Sequence, residues 1–289
     1  MRNAVFIMPR KNGQRNARLG AGSIRVATLK SRLTPRRIKT MAPKYDLDKI
    51  KFATDGPTFE KAVDLYEQGR VTRFKEELNG FFATVLGTKP YRVYVDNLHY
   101  DRGNCECYLG QNNTLCKHMV AVAIRVVTGG KSLSDEDKKL VSQPTCSGHL
   151  GKLSKGELSA AKKAITASMR YIKSYEGPSH TWFAYQNSLS EGCDRLSRII
   201  SELPVSEQTA KLLVDTLLRL DDKLCRSGVD DSDGTVGGFI EETVQALKEY
   251  AKLDLSCAKA FNELKGKETC FGWEEPLLEI INPIRNHGR

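Results

Sequence analysis

Long apolar runs are missing from this 289-residue chain, in which 40% of residues are hydrophobic. No stretch approaches the roughly 20 residues needed to cross a bilayer, and residues 1–30 hold no uninterrupted apolar core of a secretory signal. A membrane role is therefore not expected, and a cytoplasmic protein is. Tryptophan occurs twice and histidine five times. Phosphate-cradling glycine loops of the Walker or dinucleotide type, a Gly-x-Ser-x-Gly elbow and a His-Glu-x-x-His pair are all missing. An enzyme is not expected, nor is a small-molecule substrate.

Acidic residues are missing from the whole of the first 40 positions. Residues 1–40 carry eleven Lys and Arg and no Asp or Glu, which accounts for the whole net charge of +10. Residues 41–180 hold 21 basic and 16 acidic side chains, and residues 181–289 hold 13 and 19. The basic first segment, with weak helical periodicity and scattered Gly and Pro, cannot bury enough apolar surface to offset its ordering entropy, so it is expected to be disordered. Three readings of it stand side by side: upstream sequence ahead of a start at Met41, a basic arm that releases counterions from polyanions, and an organelle transit peptide.

Organised patterning begins after it. Residues 57–69 open on Pro57 and close on Gly69, with Phe59, Val63 and Tyr66 on one face, which predicts a capped amphipathic helix. Residues 71–77, 81–86 and 91–95 are rich in β-branched and aromatic residues and are separated by Asn79-Gly80 and by Gly87 to Pro90. They predict a small antiparallel sheet of three or four strands with a tight Asn-Gly hairpin. In the last run Tyr91, Val93 and Val95 share one face, and Arg92 and Tyr94 the other. Residues 116–127 predict a buried helix.

Residues 129–156 read as a linker with a short acidic helix near Asp135. Beyond it, stripes led by Leu158, Trp182, Leu213, Phe239 and Ala258 predict five helices in a bundle or a short array of helical hairpins. The expected fold class is thus α+β. Its expected organisation is a basic segment over 1–40, a sheet-and-helix domain over 41–128, a linker over 129–156 and an all-α domain over 157–289.

Of eight cysteines, Cys105, Cys107 and Cys116 cluster with His118, while Cys146, Cys193, Cys225, Cys257 and Cys270 stand apart. The five are expected to be buried free thiols of a reducing compartment. In an extended segment residues i and i+2 face one side, so Cys105 and Cys107 deliver two sulfurs to one point. Inside a helix i and i+2 lie about 200° apart, so Cys116 is expected just before the helix and His118 in its first turn. Three Cys and one His form a closed tetrahedral set for one structural Zn²⁺. Lys117, Arg102 and the start of the following helix would offset its net negative charge.

These residues resemble the SWIM-type zinc finger, through Cys-x-Cys, a short spacer and Cys-x-His, with "FKEELNGFFATVLGTKPYRVYV" ahead of them and "CKHMVAVAIRV" spanning the last two ligands. The resemblance runs from roughly Val71 to Val127 with the helix before it. Tyr108 stands where the family usually has proline, and every ligand is kept. The resemblance implies zinc binding and contact with DNA or other proteins. The C-terminal half is similar, through "VDDSDGTVGGFIEE" at 229–242, to the helical extension of some prokaryotic SWIM proteins.

The same acidic stretch fails the calcium-loop pattern at Val229 and Ile240, and Asp233 or Thr235 is expected to cap the helix after it. His99, His149, His180 and His287 stand alone. Two functions follow. One is a non-enzymatic adaptor that binds a protein partner. The alternative is a nucleic-acid-binding protein gripping phosphate with Arg70, Arg73, Lys75, Arg92, Arg102 and Lys117 beside aromatic residues.

Overall fold

A computed structural model describes residues 42–179 and 182–282. The basic first segment, His180 and His287 lie outside the described residues. Helix α1 (Leu47–Phe52) is capped by the Asp46 carboxylate, and α2 (Gly56–Glu67) by that of Asp55 with proline in its first turn. These caps satisfy N–H groups that have no partner within a helix.

Strands β1 (Val71–Glu77), β2 (Gly80–Leu86), β3 (Pro90–Asp96) and β4 (Gly103–Cys105) form an antiparallel sheet in sequence order. The first hairpin is shifted by one residue from the expected turn. Glu77 pairs with Gly80, so Leu78 and Asn79 make the turn and Gly80 begins a strand. Glycine is needed there because a Cβ would lie 2.4 Å from the Val95 carbonyl oxygen. Between the pairs Thr72–Thr84 and Lys75–Phe82 the ladder slips at a bulge, where Arg73 adopts φ 50°. The extra residue lets Thr72 and Lys75, three apart, point to the same side of the sheet.

One sheet face carries Phe81, Ala83, Val85, Val93 and Val95, all buried. Helix α4 (Lys117–Thr128) packs on it, burying His118 through Ile124, and ends at Gly129 in the left-handed conformation. A short helix, α3 (Tyr108–Gln111), occupies the loop between β4 and α4, and α5 (Asp135–Lys138) carries a capping box from Ser134.

Helices α6 (Lys155–Ser168), α7 (Trp182–Glu202), α8 (Glu207–Arg226) and α9 (Thr235–Leu253) follow, then a 3-10 segment (Leu255–Leu264) and α10 (Glu275–Ile281). The fifth expected helix is therefore a 3-10 run, and α10 was not foreseen. These elements share a second hydrophobic cluster that includes Ile165, Leu189, Leu213, Leu217, Tyr250 and Phe261. Among the described residues no helix is long and apolar enough to cross a membrane.

Helix α1 joins the two clusters. Glu191 of α7 has no exposed surface and pairs with Lys49 and, at 3.0 Å, with Arg195. Arg198 meets Asp48 at 3.2 and 3.3 Å. Both guanidinium groups stack on Phe52, at 5.2 Å for Arg195 and 4.9 Å for Arg198. A buried carboxylate is tolerable only when paired in this way.

Two readings of the helical half need correction. Cys225 and Cys270 are joined in a disulfide, while Cys146, Cys193 and Cys257 are free. The two lie 45 residues apart in sequence, so their nearness depends on the tertiary fold. The start of α9 is capped chiefly by Asp231, which accepts the N–H groups of Val236 at 2.7 Å and Gly237 at 2.8 Å. Asp233 accepts only the N–H of Thr235.

Candidate metal centre

Cys105 ends β4, an edge strand, and Cys107 caps α3 two residues later, so a single extended turn aims both sulfurs at one point. Cys116 stands at the N-cap of α4 in extended conformation, and His118 sits in that helix's first turn. All four residues are buried, and their ligand atoms lie within 4.8 Å of one another. His118 turns Nδ1 toward the sulfurs, 3.7 Å from Cys105 and 3.9 Å from Cys116. A tetrahedral ion with Zn–S of about 2.3 Å and Zn–N of about 2.0 Å sets such edges at about 3.5 Å, so the donor set fits zinc closely.

Backbone N–H groups surround the sulfurs. Cys107 donates to the Cys105 sulfur at 3.5 Å, and Gly110 donates to the Cys107 sulfur at 3.4 Å. Such partners fix the direction of each ligand and stabilise its negative charge. The Cys116 thiol is lowered to about 4, chiefly by a hydrogen bond from Cys105, with help from His118 and the N–H of Met119. The Cys105 thiol is pushed up by that same bond and by burial. A bound zinc ion would be held by the thiolate form of these cysteines.

Two glycines shape this pocket. A Cβ at Gly110 would fall 2.4 Å from the Cys105 carbonyl oxygen. At Gly87 it would fall 2.9 Å from His118 Nε2 and from the Tyr91 ring, which packs 4.6 Å from the imidazole. With four protein ligands the ion keeps no open position, so it serves as a clamp between β4 and α4 rather than as a Lewis acid. These residues hold one structural zinc.

The six basic residues read from the sequence do not gather in one place. Arg73, Lys75 and Arg92 line a groove of about 700 Å³ over the open sheet face, together with Phe82, Thr84, Tyr94, Asn104 and Glu106. Arg70 precedes β1, Arg102 sits in the β3–β4 turn and Lys117 begins α4, and none of these three lines the groove. Phe82 is 40% exposed, and its ring lies 4.8 Å from that of Tyr94. Phe82, Thr84 and Asn104 were missed as groove residues. The period-2 alternation that placed Arg92 and Tyr94 outward could have found Phe82 and Thr84 as well.

Residues 91–127 match the SWIM zinc finger family. That stretch contains all four ligands, β4, α3 and nearly all of β3 and α4. No curated protein and no solved structure gives a significant match to the chain.

Proposed function

We propose that this is a non-enzymatic, zinc-organised binding protein that takes single-stranded nucleic acid across its open sheet face. The observation that carries this reading is one row of side chains. Lys75, Phe82, Tyr94 and Asn104 are consecutive partners across all four strands, and Arg73 and Arg92 flank the row. Phe82 is exposed and Tyr94 half-buried; aromatic rings stack bases of any sequence, and nearby cations neutralise the phosphates between them. Among the described residues Glu106 is the only carboxylate lining the groove, and it pairs with Arg92 at 2.6 Å. Burial raises the pKa of the Tyr94 hydroxyl, and Asp96 and Glu77 lie near enough to raise it further. Zinc has a positioning role in this reading. It anchors β4, which supplies Asn104, to the helix that backs the sheet.

A second reading, an adaptor with a protein partner, draws on the other half of the chain. The acidic balance of residues 181–289 disfavours phosphate, and Leu253 at the end of α9 and Leu255 at the start of the 3-10 segment are 48% and 80% exposed. The two readings separate in one experiment on the full zinc-loaded chain. Fluorescence anisotropy of a labelled single-stranded oligonucleotide is titrated with wild type and with the Phe82→Ala/Tyr94→Ala variant, so that the basic first segment is common to both. Each lost stacking contact costs about 1–3 kcal/mol, so the double variant binds at least tenfold more weakly if the sheet face is the site. Equal binding by both proteins refutes the sheet-face reading. No binding by either leaves the adaptor.

A further inference from the structure

The disulfide of the helical half shares no residue with the zinc ligands and has no part in the proposed function. Cys225 sits in the last turn of α8, and Cys270 in the loop between the 3-10 segment and α10, with Cα atoms 6.0 Å apart. Both residues are exposed. One helical turn before Cys225, the buried carboxylate of Asp221 accepts the N–H of Cys270 at 2.8 Å and the indole N–H of Trp273 at 2.9 Å. Trp273 and Leu277 are in turn buried in the helical core. The C-terminal segment is thus tied to α8 at one junction, by a covalent bond on the outside and by a carboxylate on the inside.

We propose that Cys225 and Cys270 form a redox-controlled staple, opened and closed by exchange with a glutathione-type thiol couple, which sets how firmly the segment 265–281 is held to the helical core. Opening begins when an external thiolate attacks one exposed sulfur. The Cys225–Cys270 bond breaks, a mixed disulfide forms, and the other sulfur leaves as a thiolate that takes up a proton. A second external thiolate then displaces the remaining protein sulfur. Two external thiols are oxidised to one disulfide, and the protein disulfide is reduced to two thiols. Closure runs the same steps backward.

Two features suit the pair to this use. Exposed disulfides are reachable by the attacking thiolate and are the exchangeable ones. The Asp221 bonds to Cys270 and Trp273 do not depend on the disulfide, so in the reduced state they keep the two sulfurs near each other and ready to reclose. The zinc ligands are a separate set, buried and committed to the ion.

The test uses the full zinc-loaded chain equilibrated in glutathione buffers from fully reduced to fully oxidised. Alkylation and peptide mass read the state of Cys225 and Cys270, and tryptic cleavage at exposed Lys265 and Lys267 reads how firmly the segment is held. Cleavage is expected to be roughly tenfold faster in the reduced form, because proteolysis follows the population of the opened state. Cys225→Ser and Cys270→Ser should each cleave at the fast rate whatever the buffer. The proposal is overturned if the pair stays reduced in the most oxidising buffer, stays bonded in the most reducing one, or cleaves equally in both states. It is also overturned if either variant keeps the glutathione dependence.

Discussion

The Nδ1 atom of His118 lies 3.7 Å from the sulfur of Cys105, although the two residues belong to different elements, the first turn of α4 and the end of β4. That separation is close to one edge of a zinc tetrahedron. It also shows what the ion does for the fold: β4 has only three residues and is an edge strand, and the metal ties it to the helix behind the sheet.

Gly110 is where this arrangement tolerates least. Gly110→Ala places a methyl group 2.4 Å from the Cys105 carbonyl oxygen and 2.5 Å from its Cβ, so the ligand turn must open. Overpacking of this kind costs about 1–3 kcal/mol. Displacing a sulfur's N–H donor typically weakens metal affinity about 10- to 100-fold. Competition with a chromophoric zinc chelator reads this directly. Unchanged affinity would show that the turn accommodates a side chain.

The contact between α1 and α7 is the second predicted weak point. Glu191→Ala leaves Lys49 and Arg195 facing each other without their shared carboxylate, and the Arg195 side chain is only 15% exposed. Fully buried pairs lose about 3–5 kcal/mol when one partner is removed. Lys49 keeps 41% of its side chain in solvent, so the expected loss is smaller, about 2–3 kcal/mol. Urea denaturation measures it, and a loss below about 0.5 kcal/mol, the size typical of surface substitutions, would contradict the account.

Much of this could be read in the sequence, and the exceptions share a physical cause. The four ligands, the wet and dry faces of β3 and the helix behind the sheet follow from period and spacing, which are local properties. The bulge that turns Arg73 outward, the 3-10 run at Leu255–Leu264 and the Cys225–Cys270 pair depend on what the rest of the chain packs against them. Gly80 shows the same division. Its place beside a turn was legible, but the carbonyl oxygen of Val95 that requires glycine comes from another strand.

Asp194 makes stability depend on pH in a stated direction. Burial, with the nearby charges of Glu191 and Glu242, raises its carboxyl from 3.8 to about 7. A raised acid favours the folded state fully below its ordinary value and loses that contribution as pH rises through the folded one. Wild-type thermal stability should therefore fall between about pH 5 and pH 8 relative to Asp194→Asn, which cannot ionise there. Both proteins share the zinc site, so its own pH response cancels. Parallel melting curves across that range would contradict the assignment.

Zinc stoichiometry of the purified full chain tests the central claim most directly. Metal analysis of wild type and Cys116→Ser, with circular dichroism on the same samples, should find one zinc per wild-type chain. It should find none in the variant, whose sheet signal is lost while most of the helical signal remains, because structural zinc supplies about 10–16 kcal/mol, comparable with a domain's whole stability. A variant that keeps one tightly held zinc and a wild-type spectrum would show that Cys105, Cys107, Cys116 and His118 are not the set that holds the metal.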